Sequence, residues 1–234
     1  MKTTVVTLLF ACSFSFLAAQ SVTGSGEVVE QARSVGAFTA IEVSKGVDLF
    51  IRQGNSQQVV VKADDNLVDL VSTEVDGQTL RIRTRGNMRR VTALDVYVTV
   101  TDLERIEASS GSDVKGESKL ELERLALDMS SGSDLELDIE ARELTCRLSG
   151  GSDADLSGEV SSLEVTATGG SDLQARDLLV TGRCILDVSS ASDAFIRVEG
   201  ELEVEASGAS DVTVKGNPTV VRQRASGGSD IRTR

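Results

Sequence analysis

The pentapeptide Ser130-Ser131-Gly132-Ser133-Asp134 decides the fold, because variants of it recur through the second half of the chain. Each copy is a tract of small residues that ends in Asp, and successive copies lie 18 to 21 residues apart. The repeated acidic residues are Asp113, Asp134, Asp153, Asp172, Asp193, Asp211 and Asp230. A repeat of this length indicates a stacked architecture in which each unit packs on its neighbours.

Apolar residues alternate with polar ones on both sides of each tract. The residues before Asp153 include Leu144, Cys146 and Leu148, and Leu135 and Leu137 follow Asp134. A period of two predicts β-strands with one buried face, so each unit is strand, corner, strand. Stacking units about 4.8 Å apart would bury a continuous core.

We therefore predict an all-β fold, a right-handed parallel β-helix (solenoid) with about 18–21 residues per coil. About seven coils fill residues 103–234. A leucine-rich repeat has a similar length, but it needs an Asn or Cys at a fixed inward position and usually a helical return. The repeats contain neither feature.

The corner tract also predicts which of its residues point inward. If the backbone stays extended, the residues one and three before Asp face the interior, where only Ser or Gly occurs, and Asp faces outward. Because Ala191 and Ala209 occupy the position two before Asp, we expect no requirement for a positive φ there. Gln223 replaces an apolar residue in the last coil, which is typical of a terminal capping coil.

The first half of the chain is less regular. Residues 41–51 fit the repeat template around Asp48, except that Val47 replaces the Ser before Asp. Further strands are predicted at 57–62, 80–83 and 94–100, with a helical turn within 64–71 and a turn at 75–78. Since no linker separates the halves, we predict one domain over 21–234, with an irregular part at 21–102 and regular coils at 103–234.

Residues 1–20 have the composition of a secretory signal peptide. A basic start, Met1-Lys2, precedes a mostly apolar stretch, and cleavage is expected near Ala19 or Gln20. Leu9-Phe10-Ala11-Cys12 offers a lipid anchor at Cys12 as an alternative. We favour cleavage, because Phe10 fits a lipobox poorly and apolar residues follow the Cys.

The mature chain is expected to have no transmembrane segment, since no later stretch reaches the ~18 apolar residues that a membrane helix needs. We predict an exported protein that is periplasmic, outer-membrane-associated or secreted.

Composition excludes several function classes. The 234 residues include 37 acidic and 24 basic side chains and no His, with a net charge of −13. Without His, a Ser-His-Asp triad, a Cys-His dyad and a His-based zinc site are excluded. Nucleic acid is not an expected partner, because phosphate contacts need clustered Lys and Arg on a basic surface.

Cys146 and Cys184 are predicted at inward strand positions, two coils apart and two residues out of register. Two coils span ~9.6 Å at the usual strand spacing, which is beyond the reach of a disulfide. We expect two buried free thiols that pack as small apolar side chains.

Three stretches together with the repeats suggest a family. They are Val22-Thr23-Gly24-Ser25-Gly26, residues 38–51, and Val61-Lys62-Ala63-Asp64-Asp65-Asn66-Leu67. With the Ser-Gly-Ser-Asp repeats they resemble the head GIN domain proteins, described as putative auto-transporter adhesins and common in the Bacteroidetes. The resemblance implies a single-domain β-helical fold, export, and a surface or adhesive role. It supplies no catalytic or binding residues.

The repeated Asp has three interpretations. We favour a structural role, because Ser and Asp beside Gly stabilise turns through local backbone hydrogen bonds. In a second interpretation the seven carboxylates form a ridge, where neighbours ~4.8 Å apart repel by about 1 kcal/mol in water. Calcium bridging Asp and Ser oxygens would relieve that repulsion, and no other cofactor is expected. In a third, the ridge belongs to a β-helix face that binds a glycan or a protein.

An enzymatic role is the remaining alternative. The basic cluster Arg81, Arg83, Arg85, Arg89 and Arg90 would serve a β-helix that cleaves polysaccharides only if a unique acid lay beside it. A solvated strand end and turn is the simpler interpretation of this cluster. We therefore predict a non-enzymatic envelope or surface protein, an adhesin or scaffold without catalytic residues, whose partner is an unidentified glycan or protein.

Overall fold

The structure is a computed structural model that describes residues 21–234. It confirms an all-β solenoid of about seven turns. The predicted signal peptide and Cys12 lie outside the described residues. Within residues 21–234, no helix is both long and apolar enough to cross a bilayer.

The irregular first part contains nine strands and one short 3₁₀ turn, Val68–Leu70. The strands are β1 (Ser21–Thr23), β2 (Val28–Arg33), β3 (Ala40–Ser44), β4 (Asp48–Gln53), β5 (Gln58–Asp64), β6 (Val71–Asp76), β7 (Thr79–Thr84), β8 (Asn87–Arg89) and β9 (Leu94–Val100). They confirm the strands and the helical turn predicted for this region.

The regular coils follow from Arg105 onward. Their strands are β10 (Arg105–Ser109), β11 (Val114–Gly116), β12 (Leu120–Ser130), β13 (Leu135–Ser149), β14 (Ala154–Thr168), β15 (Leu173–Ser189), β16 (Ala194–Val198), β17 (Glu201–Ser207), β18 (Asp211–Lys215), β19 (Thr219–Ala225) and β20 (Asp230–Thr233).

Two strips of parallel pairing run along the solenoid. We call the strip that precedes the Ser-Asp corners the pre-corner sheet. In it β3 pairs with β10, β10 pairs with the second half of β12, and the stack ends at β19. We call the strip after each corner the post-corner sheet, which passes from β4 and β11 through the first half of β13 to β20. The two strips enclose a core of Val, Leu, Ile and Ala.

The coil formed by β3 and β4 lies inside the stack. On one side it pairs with β10 and β11, and on the other with β7 and β9, all in parallel. The strands β2, β5 and β6 then add antiparallel pairs beyond β7 and β9. The chain crosses this end between β5 and β6, where Leu67 and Val68 are buried. These segments form a cap over the amino-terminal end of the core.

The two cysteines occupy the predicted register. Cys146 pairs with Val165, whereas Cys184 pairs with Leu163 in that same intermediate coil. Both thiols are buried, and burial raises the pKa of each to about 12.

The corner prediction was wrong in two respects. Ala191 and Ala209 have φ of 61° and 65°, so the position two before Asp does take a left-handed conformation. The position before it does so as well, as in Ser110 at 60°, and its side chain is exposed instead of inward. Two consecutive left-handed residues bend the chain sharply at each corner. The parity of an extended strand therefore does not hold through the corner.

Candidate functional site

A ladder of buried serines runs through the corners. The Ser immediately before each Asp faces inward, and six of these residues are fully buried. Each hydroxyl Oγ accepts the N–H of the equivalent residue one coil earlier, at 3.0 to 3.3 Å. The ladder begins where Ser112 accepts the N–H of Val47, so Val47 itself has no ladder hydroxyl to provide. Each repeated Ser therefore satisfies a backbone donor that water does not reach.

The repeated aspartates form a second ladder that runs in the opposite direction. From Asp113 to Asp193, each carboxylate accepts the N–H of the Asp one coil later, at 2.9 to 3.4 Å. Asp230 departs from this pattern, because its N–H donates to the Ser210 carbonyl and its carboxylate contacts Arg232. These contacts support the structural interpretation of the ridge.

Calcium binding by the ridge stays a prediction. Residues 21–234 contain no group of three or more His, Cys, Asp or Glu side chains arranged to hold a metal ion. One oxygen of each ladder carboxylate already accepts a backbone N–H, which leaves the other free for solvent or a cation. Calorimetric titration and a melting curve in millimolar calcium test this hypothesis.

Two of the three family-like stretches, residues 22–26 and 61–67, bind each other. The buried Asp64 carboxylate accepts N–H groups from Gly26 and Thr92, both at 2.7 Å. The Asn66 amide bonds the Ser25 N–H and the Thr23 carbonyl. Hydrogen bonds, with that from the Thr92 backbone the strongest, lower the pKa of Asp64. This clasp holds the segment that carries β1 against the solenoid.

An open cleft of about 650 Å³ lies beside that segment. Its lining comes from β1, the corner between β3 and β4, and the chain from the end of β7 to the start of β9. The lining residues are Ser21, Lys45, Thr84, Gly86, Asn87, Met88, Arg89, Val91 and Leu94. Met88, Val91 and Leu94 are half-buried and supply an apolar wall.

The charge of the cleft is opposite to that of the chain. Lys45 and Arg89 are its charged lining residues, and the lining includes no Asp or Glu among the described residues. Lys45 has a φ of 65°, and its Nζ lies 3.5 Å from the Thr84 carbonyl. The corner between β3 and β4 therefore places a positive charge at the cleft, although the net charge of the protein is −13.

The basic cluster predicted from sequence divides into two groups. Arg81 pairs with Glu42 and Asp76, at 3.1 and 3.0 Å. Arg83 and Arg85 both pair with Glu74, and a hydrogen bond from Ser72 together with Arg85 lowers the pKa of Glu74. These three arginines are neutralised on the hairpin of β6 and β7.

Arg89 lines the cleft, and the exposed Arg90 follows it. Lys45 was not among the residues predicted from sequence, although it stands where every other corner has Ser or Gly.

Tyr97, the only Tyr of the chain, stacks on Phe50 of the neighbouring strand. The ring centroids are 4.8 Å apart and the planes are inclined by 14°. Each ring therefore covers one face of the other. The Phe195 ring is half-buried, and the Arg176 guanidinium lies over it, 4.2 Å from the ring centroid.

Several solved structures share this fold. A putative adhesin from Bacteroides fragilis aligns with a TM-score of 0.84 at 17% identity, over 92% of this chain and 100% of that one. A putative adhesin from Parabacteroides distasonis aligns at 0.76 and 20% identity with the same coverage. A putative lipid binding protein from the same species aligns at 0.75 and 17% identity, again over 92% and 100%. No curated protein matches this chain in sequence.

The sequence itself matches one family model, over residues 37–218. The match begins just before β3 and ends just before β19, so it covers the inner coil, most of the cap and all but the last of the regular repeats. The chain belongs to the family described as putative auto-transporter adhesin, head GIN domain.

Proposed function

We propose that this protein is an exported, non-enzymatic surface adhesin that binds an anionic glycan in the cleft between Lys45 and Arg89. The observation that carries the proposal is a cleft lined by two cations and no described carboxylate on an otherwise acidic protein. The family description supports an adhesive role.

The lining matches the chemistry of an acidic sugar. The Arg89 guanidinium suits bidentate pairing with a carboxylate or sulfate group. Ser21 and Asn87 offer polar groups for hydroxyls, and the wall of Met88, Val91 and Leu94 suits the apolar face of a sugar ring. A neutral glycan would leave both cations without a partner.

Binding without cleavage agrees with the same lining. Most glycoside hydrolases place two carboxylates on either side of the scissile bond. The described lining has neither an acid nor a base of that kind. This supports the adhesin over a glycoside hydrolase.

The proposal is tested by applying the purified exported protein to an array that contains neutral, uronate-bearing, sialylated and sulfated glycans. Affinity for the best anionic glycan is then measured by calorimetry for Lys45→Ser and Arg89→Ser. Lys45→Ser restores the residue type of the other corners, so the fold should tolerate it. Arg197→Ser removes an exposed arginine of the coils and serves as the matched control.

We expect each cleft variant to bind at least tenfold more weakly, as expected for the loss of a charged contact worth about 1.5–3 kcal/mol. Arg197→Ser should bind like the wild type. Binding only to neutral glycans, or unchanged affinity in both cleft variants, would refute the proposal. Vesicles with anionic headgroups form a separate arm, because one structural neighbour is described as a putative lipid binding protein. If the protein binds these vesicles through Lys45 and Arg89 but binds no glycan, the ligand is an anionic lipid headgroup and not a glycan.

A further inference from the structure

The exposed large apolar side chains of residues 21–234 are confined to two parts of the molecule. Val22, Val28 and Val29 lie in β1 and β2 of the amino-terminal part, and Val220 and Val221 lie in β19 of the last coil. Their exposed fractions run from 38% to 58%. A single exposed Val is ordinary. Within residues 21–234 the exposed large apolar side chains are therefore concentrated in the first two strands and in β19, and not along the sides of the regular coils.

Both ends also present unpaired strand edges within the described part of the chain. At the last coil, β19 pairs only with β17 and β20 only with β18. At the cap, β2 pairs only with β5 and β6 only with β7. Each edge offers a row of backbone N–H and C=O groups to an added strand.

The edges of the two ends match in position and direction. The pre-corner sheet ends in β6 at the cap and in β19 at the last coil, and the post-corner sheet ends in β2 and β20. Placing the cap of one copy on the last coil of another continues both sheets. The added pairs are antiparallel for β6 on β19 and parallel for β2 on β20, as the strand directions require.

The charges of the two ends are complementary. Residues 216–234 contain four arginines and one acid, Asp230. Arg222 and Arg224 share Glu205, and Arg232 pairs with Asp230, so this end keeps an excess of positive charge. The cap segments 27–33 and 57–76 contain seven acids and two basic residues. Glu74 and Asp76 already pair with arginines of β7. The cap residues available to attract the arginines of the last coil are therefore mainly Glu27, Glu30, Asp65 and Asp69.

We propose that this protein associates with further copies of itself head to tail, with the cap of one copy on the β19–β20 end of the next. The contact is heterologous, because it joins two different surfaces, so it propagates into an open filament instead of closing as a dimer. Pairing two last coils would bring two sets of arginines together and is disfavoured.

The test uses two variants, each blocked at one end, and sedimentation analysis of the purified exported protein. Val29→Lys places a positive charge on the acidic cap edge, and Val221→Asp places a negative charge on the basic last coil. Ser161→Asp adds a charge at an exposed position within the regular coils and is the control. Thermal melting verifies that each variant is folded. If either Val variant melts early, Glu30→Arg and Arg224→Glu replace the pair.

Wild type and Ser161→Asp should form species larger than dimers as concentration rises. Their association should weaken at least fivefold in 1 M salt, where the screening length is ~3 Å. Each end-blocked variant alone should stay monomeric. An equal mixture should form dimers and nothing larger, because only one compatible pair of ends remains open. A wild type that is monomeric at all concentrations, or Val29→Lys that dimerises alone, would overturn the proposal.

Discussion

Replacing Ser171 with Ala removes the hydroxyl that accepts the Ser152 N–H at 3.1 Å. Both residues are fully buried, so no water can take the place of the lost acceptor. A buried donor left without a partner costs about 1–3 kcal/mol. We therefore expect the free energy of unfolding to fall by about 2 kcal/mol for the loss of one oxygen atom.

The matched control is Ser149→Ala, the same substitution at the start of a neighbouring corner. Ser149 is half-buried, and its hydroxyl makes only a 3.5 Å contact with the Met129 carbonyl. A change within about 0.5 kcal/mol is expected there, as for substitutions away from critical contacts.

Urea unfolding measures both changes, and amide hydrogen exchange locates them. Exchange is needed because the coils of a solenoid can open separately from the whole. The Ser152 amide should exchange more than tenfold faster in Ser171→Ala, since 1.4 kcal/mol corresponds to a factor of about ten. Equal stabilities for the two variants, with Ser152 protection unchanged, would refute the ladder as a source of stability.

Three further outcomes are expected. Gly158→Ala should cost about 3 kcal/mol or more, because φ is 107° and the new Cβ would clash with the Ile139 carbonyl, whereas Gly132→Ala, with open space around it, should cost about 1–2 kcal/mol in urea unfolding. Cys146 and Cys184 should resist a thiol reagent at pH 8 until the protein is unfolded, because burial raises both pKa values to about 12, and a disulfide between them found by mass spectrometry would contradict the register. Burial and the nearby Asp113 charge raise the pKa of Asp48 above 3.8 in the folded protein. The free energy of unfolding therefore falls as pH rises from about 3.8 through the folded-state pKa, because the folded protein then has to carry a charge that it disfavours. Asp48→Asn should accordingly raise the melting temperature at about pH 7 but not at about pH 3.

The straight parts of the coils could be predicted from sequence because alternation is a local property. Leu144, Cys146 and Leu148 are all buried, as their period of two requires. The corner could not be predicted in the same way, since two consecutive left-handed residues break that period. Ala191 and Ala209 made a positive φ seem unnecessary at this position. An L-residue can nevertheless adopt the left-handed conformation, at a cost of about 1–2 kcal/mol.

The cap and the cleft depend on pairs of segments that are distant in sequence. Asp48 of β4 lies beside Asp95 of β9, and nothing in the local periodicity of either strand specifies the other. The cleft likewise joins Ser21, Lys45 and Leu94. Of its two cations, Arg89 was visible in the basic cluster, whereas Lys45 is visible only as an unusual residue once the corners are aligned.

The position of the β3–β4 coil inside the stack has a consequence for folding. This coil is synthesised early, yet both of its edges are filled later, first by β7 and β9 and then by β10 and β11. The cap closes one side, so every further coil must be added on the other. The first coil thus provides the surface on which the repeats stack, in chain order and in a single direction. Gain or loss of one repeat unit would change the length of the protein without disturbing the cap or the cleft.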